Sequence, residues 1–242
     1  MRALLVFAIA VSSVSHPTAS AQAPGPLAAE SEVDFSGAYV SGVPIESPVY
    51  TEPDVYPFTA AGERAHRAYD PLVEDPQQAD DCAPEAIPAI LWSRNPMQID
   101  QEEGRIVIRF ESGDTTRSIY LDGTSPATGQ EHTETGFSTG HWVRTELRIE
   151  TTHLIDGVIT NGGYPISRDA RMTERYWRNP GQKNLQMELV VDDPVNYTQP
   201  ITLGREFVWT SKDQVRPWEC ISLGPRDSEP DIDELARMLE EL

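Results

Sequence analysis

From Ile87 onward the chain alternates apolar and polar side chains with a period of two. Ile106, Ile108 and Phe110 are separated by Val107 and Arg109, Leu147, Ile149 and Thr151 by Arg148 and Glu150, and Leu185, Met187, Leu189 and Val191 by Gln186, Glu188 and Val190. Successive side chains of a strand point to opposite faces, so the pattern predicts strands with one face on a core and one face in water. Further strands fit residues 97–101, 117–121, 170–177 and 202–210. Turn residues separate them, including Gly104, Asp122-Gly123, Asp156-Gly157, Asn179-Pro180-Gly181 and Asp193-Pro194. About eight strands without intervening helices predict a mainly β fold, either an antiparallel lipocalin-like β-barrel or a sandwich.

Helical spacing occurs twice. Residues 59–69 carry Thr59 as a cap, Glu63 in the first turn and four alanines, and Pro71 stops them. Residues 227–242 hold Asp231 and Glu234 in a capping-box spacing, followed by Leu235, Ala236 and Leu239. The first 21 residues read as a signal peptide: Arg2, an apolar run over residues 3–14, then Ala19-Ser20-Ala21. The domain order expected is therefore signal peptide 1–21, extended Pro- and Ser-rich leader 22–58, barrel or sandwich 59–226 including the short helix, and C-terminal helix 227–242.

Composition narrows the partners. Lys and Arg total 19 against 39 Asp and Glu, a net charge of −20. Such a surface repels phosphate backbones and anionic headgroups, so nucleic acid is not an expected partner. No second apolar run of spanning length follows the signal, so no membrane insertion is expected after its cleavage. The expected location is periplasmic or secreted. In an oxidising compartment, two cysteines without CxxC spacing favour a structural bridge, Cys82 to Cys220.

Several landmarks occur in order: Arg117, Leu121-Asp122-Gly123, Gly136, Ser138, Gly140, Trp142, Leu147, Thr151-Thr152, Gly163, Pro165, Ser167, Glu174-Arg175-Tyr176, Asp192-Asp193-Pro194, Tyr197-Thr198 and Pro200. Over residues 82–221 they resemble a large family of exported bacterial β-rich proteins of unknown function. The resemblance implies export, β architecture and the position of Cys220. This chain departs from the family pattern at His153, where Asn is common, at Arg171, where His is common, and at Cys220-Ile221-Ser222, where the family has Cys-His-Glu.

Strand parity points to candidate chemistry. If Met172 and Tyr176 face the interior, Glu174 does too; if Ile119 and Leu121 face it, so does Arg117. An inward carboxylate and guanidinium must pair or meet a polar cavity. Two readings follow: a buried ion pair between strands, or a ligand-orienting pair with Trp142 and Tyr176 lining a pocket. His153 and Glu174 are the candidates for proton transfer. No HxH or HExxH spacing is present; a metal site would need distant strands, such as His141, His153 and Glu174, and neither metal nor cofactor is expected. Gly136-Phe137-Ser138-Thr139-Gly140 spells G-x-S-x-G, but a β segment follows it rather than the helix of a nucleophile elbow.

The expected function is binding of a small, partly apolar molecule. The alternatives are a cofactor-independent lyase, isomerase or hydratase, and a structural envelope protein with a filled interior. Protein partners are left open. What separates these readings is whether Arg117 and Glu174 open onto a cavity or pair in a dry core.

Overall fold

The computed structural model describes residues 33–42, 56–70, 85–160 and 162–219. The expected signal peptide, much of the leader, both cysteines and the C-terminal helix lie outside the described residues.

Nine strands close into a barrel: β1 (Gly37–Ser41), β2 (Met97–Glu102), β3 (Arg105–Phe110), β4 (Thr116–Tyr120), β5 (Phe137–Val143), β6 (Glu146–Thr152), β9 (Arg171–Trp177), β10 (Leu185–Asp192) and β11 (Ile201–Thr210). Two short strands, β7 (Gly157–Val158) and β8 (Pro165–Ile166), form a separate hairpin. Around the ring the order is β1-β11-β10-β9-β6-β5-β4-β3-β2. The barrel reading therefore holds over the sandwich. A purely antiparallel barrel does not: β4 and β5 run parallel, with Ile119 opposite Ser138. An odd number of strands cannot alternate direction all the way round a closed ring, so one pair has to run parallel. Residues 121–136 make the return that a parallel joint requires.

Two barrel strands lie where the sequence suggested other structure. β1 comes from the segment read as leader, and it pairs with β11 on one side and β2 on the other. β5 comes from the Gly-rich segment. There Gly140 faces inward so closely that a Cβ would stand 2.9 Å from Cγ2 of Ile119.

The inward positions fill the barrel. Ile99, Ile106, Ile108, Ile149, Met187, Leu189 and Phe207 are all buried, burying apolar area that favours folding at about 25 cal/mol per Å². Phe35 lies in the segment entering β1, near the end of the barrel that holds Trp142 and Arg178. A 3₁₀ turn, Ala89–Trp92, leads into β2 at the opposite end and buries Ile90 and Leu91.

The predicted short helix is α1 (Ala60–Ala68). The Thr59 hydroxyl accepts from the Gly62 N–H at 3.1 Å, satisfying one of the free amides of the first turn. Gly62 lets the helix lie against backbone, since a Cβ there would be 2.1 Å from the Asn196 carbonyl oxygen. Beside α1, Tyr56 stacks on Tyr164 with centroids 3.7 Å apart, and His66 stacks on the same ring at 4.9 Å.

Candidate functional site

Strand parity places Arg117 and Glu174 inside the barrel, and the structure brings them together. β4 and β9 are not neighbours; β5 and β6 lie between them. The guanidinium spans that gap by donating to every strand it crosses. Nε donates to the Ser138 hydroxyl on β5 at 3.0 Å, and Nη2 to the Thr151 hydroxyl on β6 at 2.7 Å. Nη1 and Nη2 reach Oε2 and Oε1 of Glu174 at 3.0 and 2.5 Å, a bidentate pair. The Tyr176 hydroxyl donates to Glu174 Oε2 at 2.8 Å.

Both charged side chains are 0% exposed. Burial alone would lower the Arg117 pKa, but the charge and hydrogen bonds of Glu174, with a smaller contribution from Tyr176, together outweigh it and raise the pKa, so the guanidinium stays charged. Tyr176 is pushed well above the usual phenol range, first by burial and then by the Glu174 charge, so it stays a hydrogen-bond donor. With each guanidinium nitrogen matched to an acceptor, the desolvation cost of the two charges is offset within one network. The arrangement is a fully buried ion pair with its hydrogen bonds satisfied by side chains.

Trp142 sits apart from this network. It is half-buried on β5 and packs on Phe35 with ring centroids 5.1 Å apart. The Arg178 guanidinium lies 5.3 Å from the centroid of the same Phe35 ring. Arg178 also donates to the Asp34 carbonyl at 2.8 Å and to the Tyr39 hydroxyl. Tyr39 in turn donates to the Phe35 carbonyl at 2.7 Å. This set of contacts ties the segment before β1 across that end of the barrel.

The two alternative candidates for proton transfer, His153 and Glu174, stand in different surroundings. Glu174 is interior, whereas His153 follows the last residue of β6 and is partly exposed. The distant metal set fails to assemble: His141 is exposed on β5, and no group of three His, Cys, Asp or Glu suited to a metal occurs among the described residues. Ser138 of the G-x-S-x-G run is buried, bonded to Arg117 and to the Thr151 hydroxyl at 3.0 Å.

Two features were not singled out from sequence. Arg205 occupies an inward position between Leu203 and Phe207 on β11, so the same parity could have found it. It is 8% exposed and donates to the Leu91 carbonyl at 2.9 Å, capping the 3₁₀ turn. Its Nε has no acceptor among the described residues, and burial pushes its pKa down to about 10.

The second feature is a cleft of about 610 Å³ between α1, the 3₁₀ turn and the β7–β8 hairpin. Ala65, Ala86, Ala89, Ile155, Val158 and Ile166 give it apolar walls, and Glu85, Glu134 and Asp156 stand among them. Asp193 braces one side: its carboxylate accepts from the Ser167 N–H and hydroxyl, both at 2.8 Å, and from the Asn196 amide at 2.8 Å. These contacts join the end of β8 to the 193–196 turn, which periodicity does not report. Comparison with protein families, curated proteins and solved structures finds no match to this chain.

Proposed function

We propose that this chain is an exported β-barrel protein, akin to the exported bacterial family its landmarks resemble, that binds a small, partly apolar molecule in the cleft beside α1. The observation that carries this reading is the cleft itself. Its volume of about 610 Å³ suits a small organic ligand, while the barrel interior is occupied by side chains and a closed ion pair. Apolar walls supply affinity, and the carboxylates among them orient polar groups of the ligand. Export to an oxidising compartment and a Cys82–Cys220 bridge belong to the same proposal.

Native mass spectrometry of the protein purified from its own periplasm or medium tests the binding reading. A retained molecule at one per chain is expected, and Val158→Trp, which fills the cleft from a partly exposed position, should release it. Nothing retained, together with no response to a panel of apolar ligands, would overturn it. That result would favour the structural alternative, which the buried, mutually satisfied Arg117–Glu174 pair supports.

A further inference from the structure

His132 and His153 are 21 positions apart and share no strand, yet their ring centres lie 5.3 Å apart with the planes tilted by 48°. The backbone holds them together. Thr133 N–H donates to the His153 carbonyl at 3.0 Å, and Thr133 forms a parallel bridge with Leu154. His153 has φ +59, the left-handed region, which histidine enters more readily than most residues.

Both rings are anchored through the same atom. Nδ1 of His132 contacts the Leu154 carbonyl at 2.7 Å, and a carbonyl can only accept, so this nitrogen carries the proton. Nδ1 of His153 lies 2.8 Å from the Thr152 hydroxyl. At His132 this leaves Nε2 with its lone pair, and at His153 the Thr152 hydroxyl can accept from Nδ1–H and free Nε2 in the same way; a histidine held through Nδ1 is the arrangement by which proteins orient the ring toward a metal. Two imidazoles sharing one tetrahedral ion at Nε2–metal distances of about 2.0–2.1 Å place their ring centres about 5 Å apart. The observed spacing matches.

We propose that His132 and His153 together bind one divalent late first-row transition-metal ion through Nε2. Imidazole suits Zn²⁺, Ni²⁺ and Cu²⁺, and a chain of net charge −20 draws cations toward its surface. No third side-chain ligand joins the pair among the described residues, so the remaining positions belong to water or to an incoming donor. The site is independent of the cleft proposal.

The test uses the full chain stripped with a chelator and titrated with ZnCl₂ and CuCl₂. One ion per chain is expected. Histidine 153 is best replaced by asparagine, which tolerates the left-handed conformation, and histidine 132 by glutamine, which keeps an N–H donor. H153N and H132Q should each weaken binding about tenfold or more, while H141A and H66A leave it unchanged; near-ultraviolet circular dichroism checks the fold of each variant. With Cu²⁺, electron paramagnetic resonance of the unaltered protein should report two nitrogen donors. No bound ion, a Cu²⁺ spectrum without two nitrogens, or affinity unchanged in H153N and H132Q would each overturn the proposal.

Discussion

The Arg117 guanidinium on β4 and the Glu174 carboxylate on β9 form a bidentate pair across two intervening strands, each of which contributes a hydroxyl to the guanidinium. The pair thus ties together four consecutive staves of the barrel, which makes it sensitive to the loss of one member. Glu174→Gln removes the countercharge and strands a buried cation, an effect of about 3–5 kcal/mol. Replacing the group with apolar side chains, Arg117→Met with Glu174→Leu and Tyr176→Phe, removes the charges along with the phenol that would lose its acceptor. The triple variant should unfold in urea within about 1 kcal/mol of the original chain or above it. A Glu174→Gln chain as stable as the original would show that the pair does not hold the staves.

Alkaline pH should reveal three buried phenols. Tyr39, Tyr176 and Tyr197 all have their ionisation pushed up by burial, helped at Tyr176 by Glu174 and at Tyr197 by Asp193. In the unfolded chain they ionise near the ordinary value of 10.0. Their contribution to stability is complete below that pH. It is lost as pH rises above it, because the unfolded chain then releases protons that the native chain retains. Tyrosinate absorbance should therefore rise in two stages, the second coinciding with loss of the circular dichroism of the fold. A single smooth rise with the fold intact would contradict the burial of these hydroxyls.

Gly62→Ala sets two effects against each other. Helix propensity favours alanine by about 1 kcal/mol. The new Cβ, however, would stand 2.1 Å from the Asn196 carbonyl oxygen, which is backbone and cannot swing aside. A net loss of about 1–3 kcal/mol is expected, as for other overpacked contacts. A thermal melt that rises instead would show that α1 does not lie against the 193–198 turn.

Local pattern exposes the barrel's walls in the sequence but hides what joins them. Inward alternation locates β3, β6, β10 and the inward pair Arg117 and Glu174, because parity is a property of one strand at a time. The Ser138 and Thr151 contacts depend on strand order, and no local signal states that β5 and β6 separate β4 from β9. β5 was obscured by glycine, which lowers strand propensity, although Gly140 is needed where Ile119 and Leu121 crowd its inward face. β1 was obscured by its five-residue length and its Pro-rich surroundings. The approach of His132 to His153 is set by a bridge between irregular segments, which hydrophobic periodicity cannot register.

The seam of the barrel joins the two most distant strands of the sequence. Ala38 pairs with Thr210 and Tyr39 with Trp209, while the other edge of β1 meets β2. Until β11 has formed, β1 can take up only its β2 side, and until β1 is seated, β2 and β11 present unpaired amides and carbonyls to any neighbouring chain. Completion is therefore the least local step of the fold, and it requires closing a loop of most of the chain. A barrel deprived of residues 37–41 would keep most of its walls and become adhesive, recruiting the missing strand from another molecule.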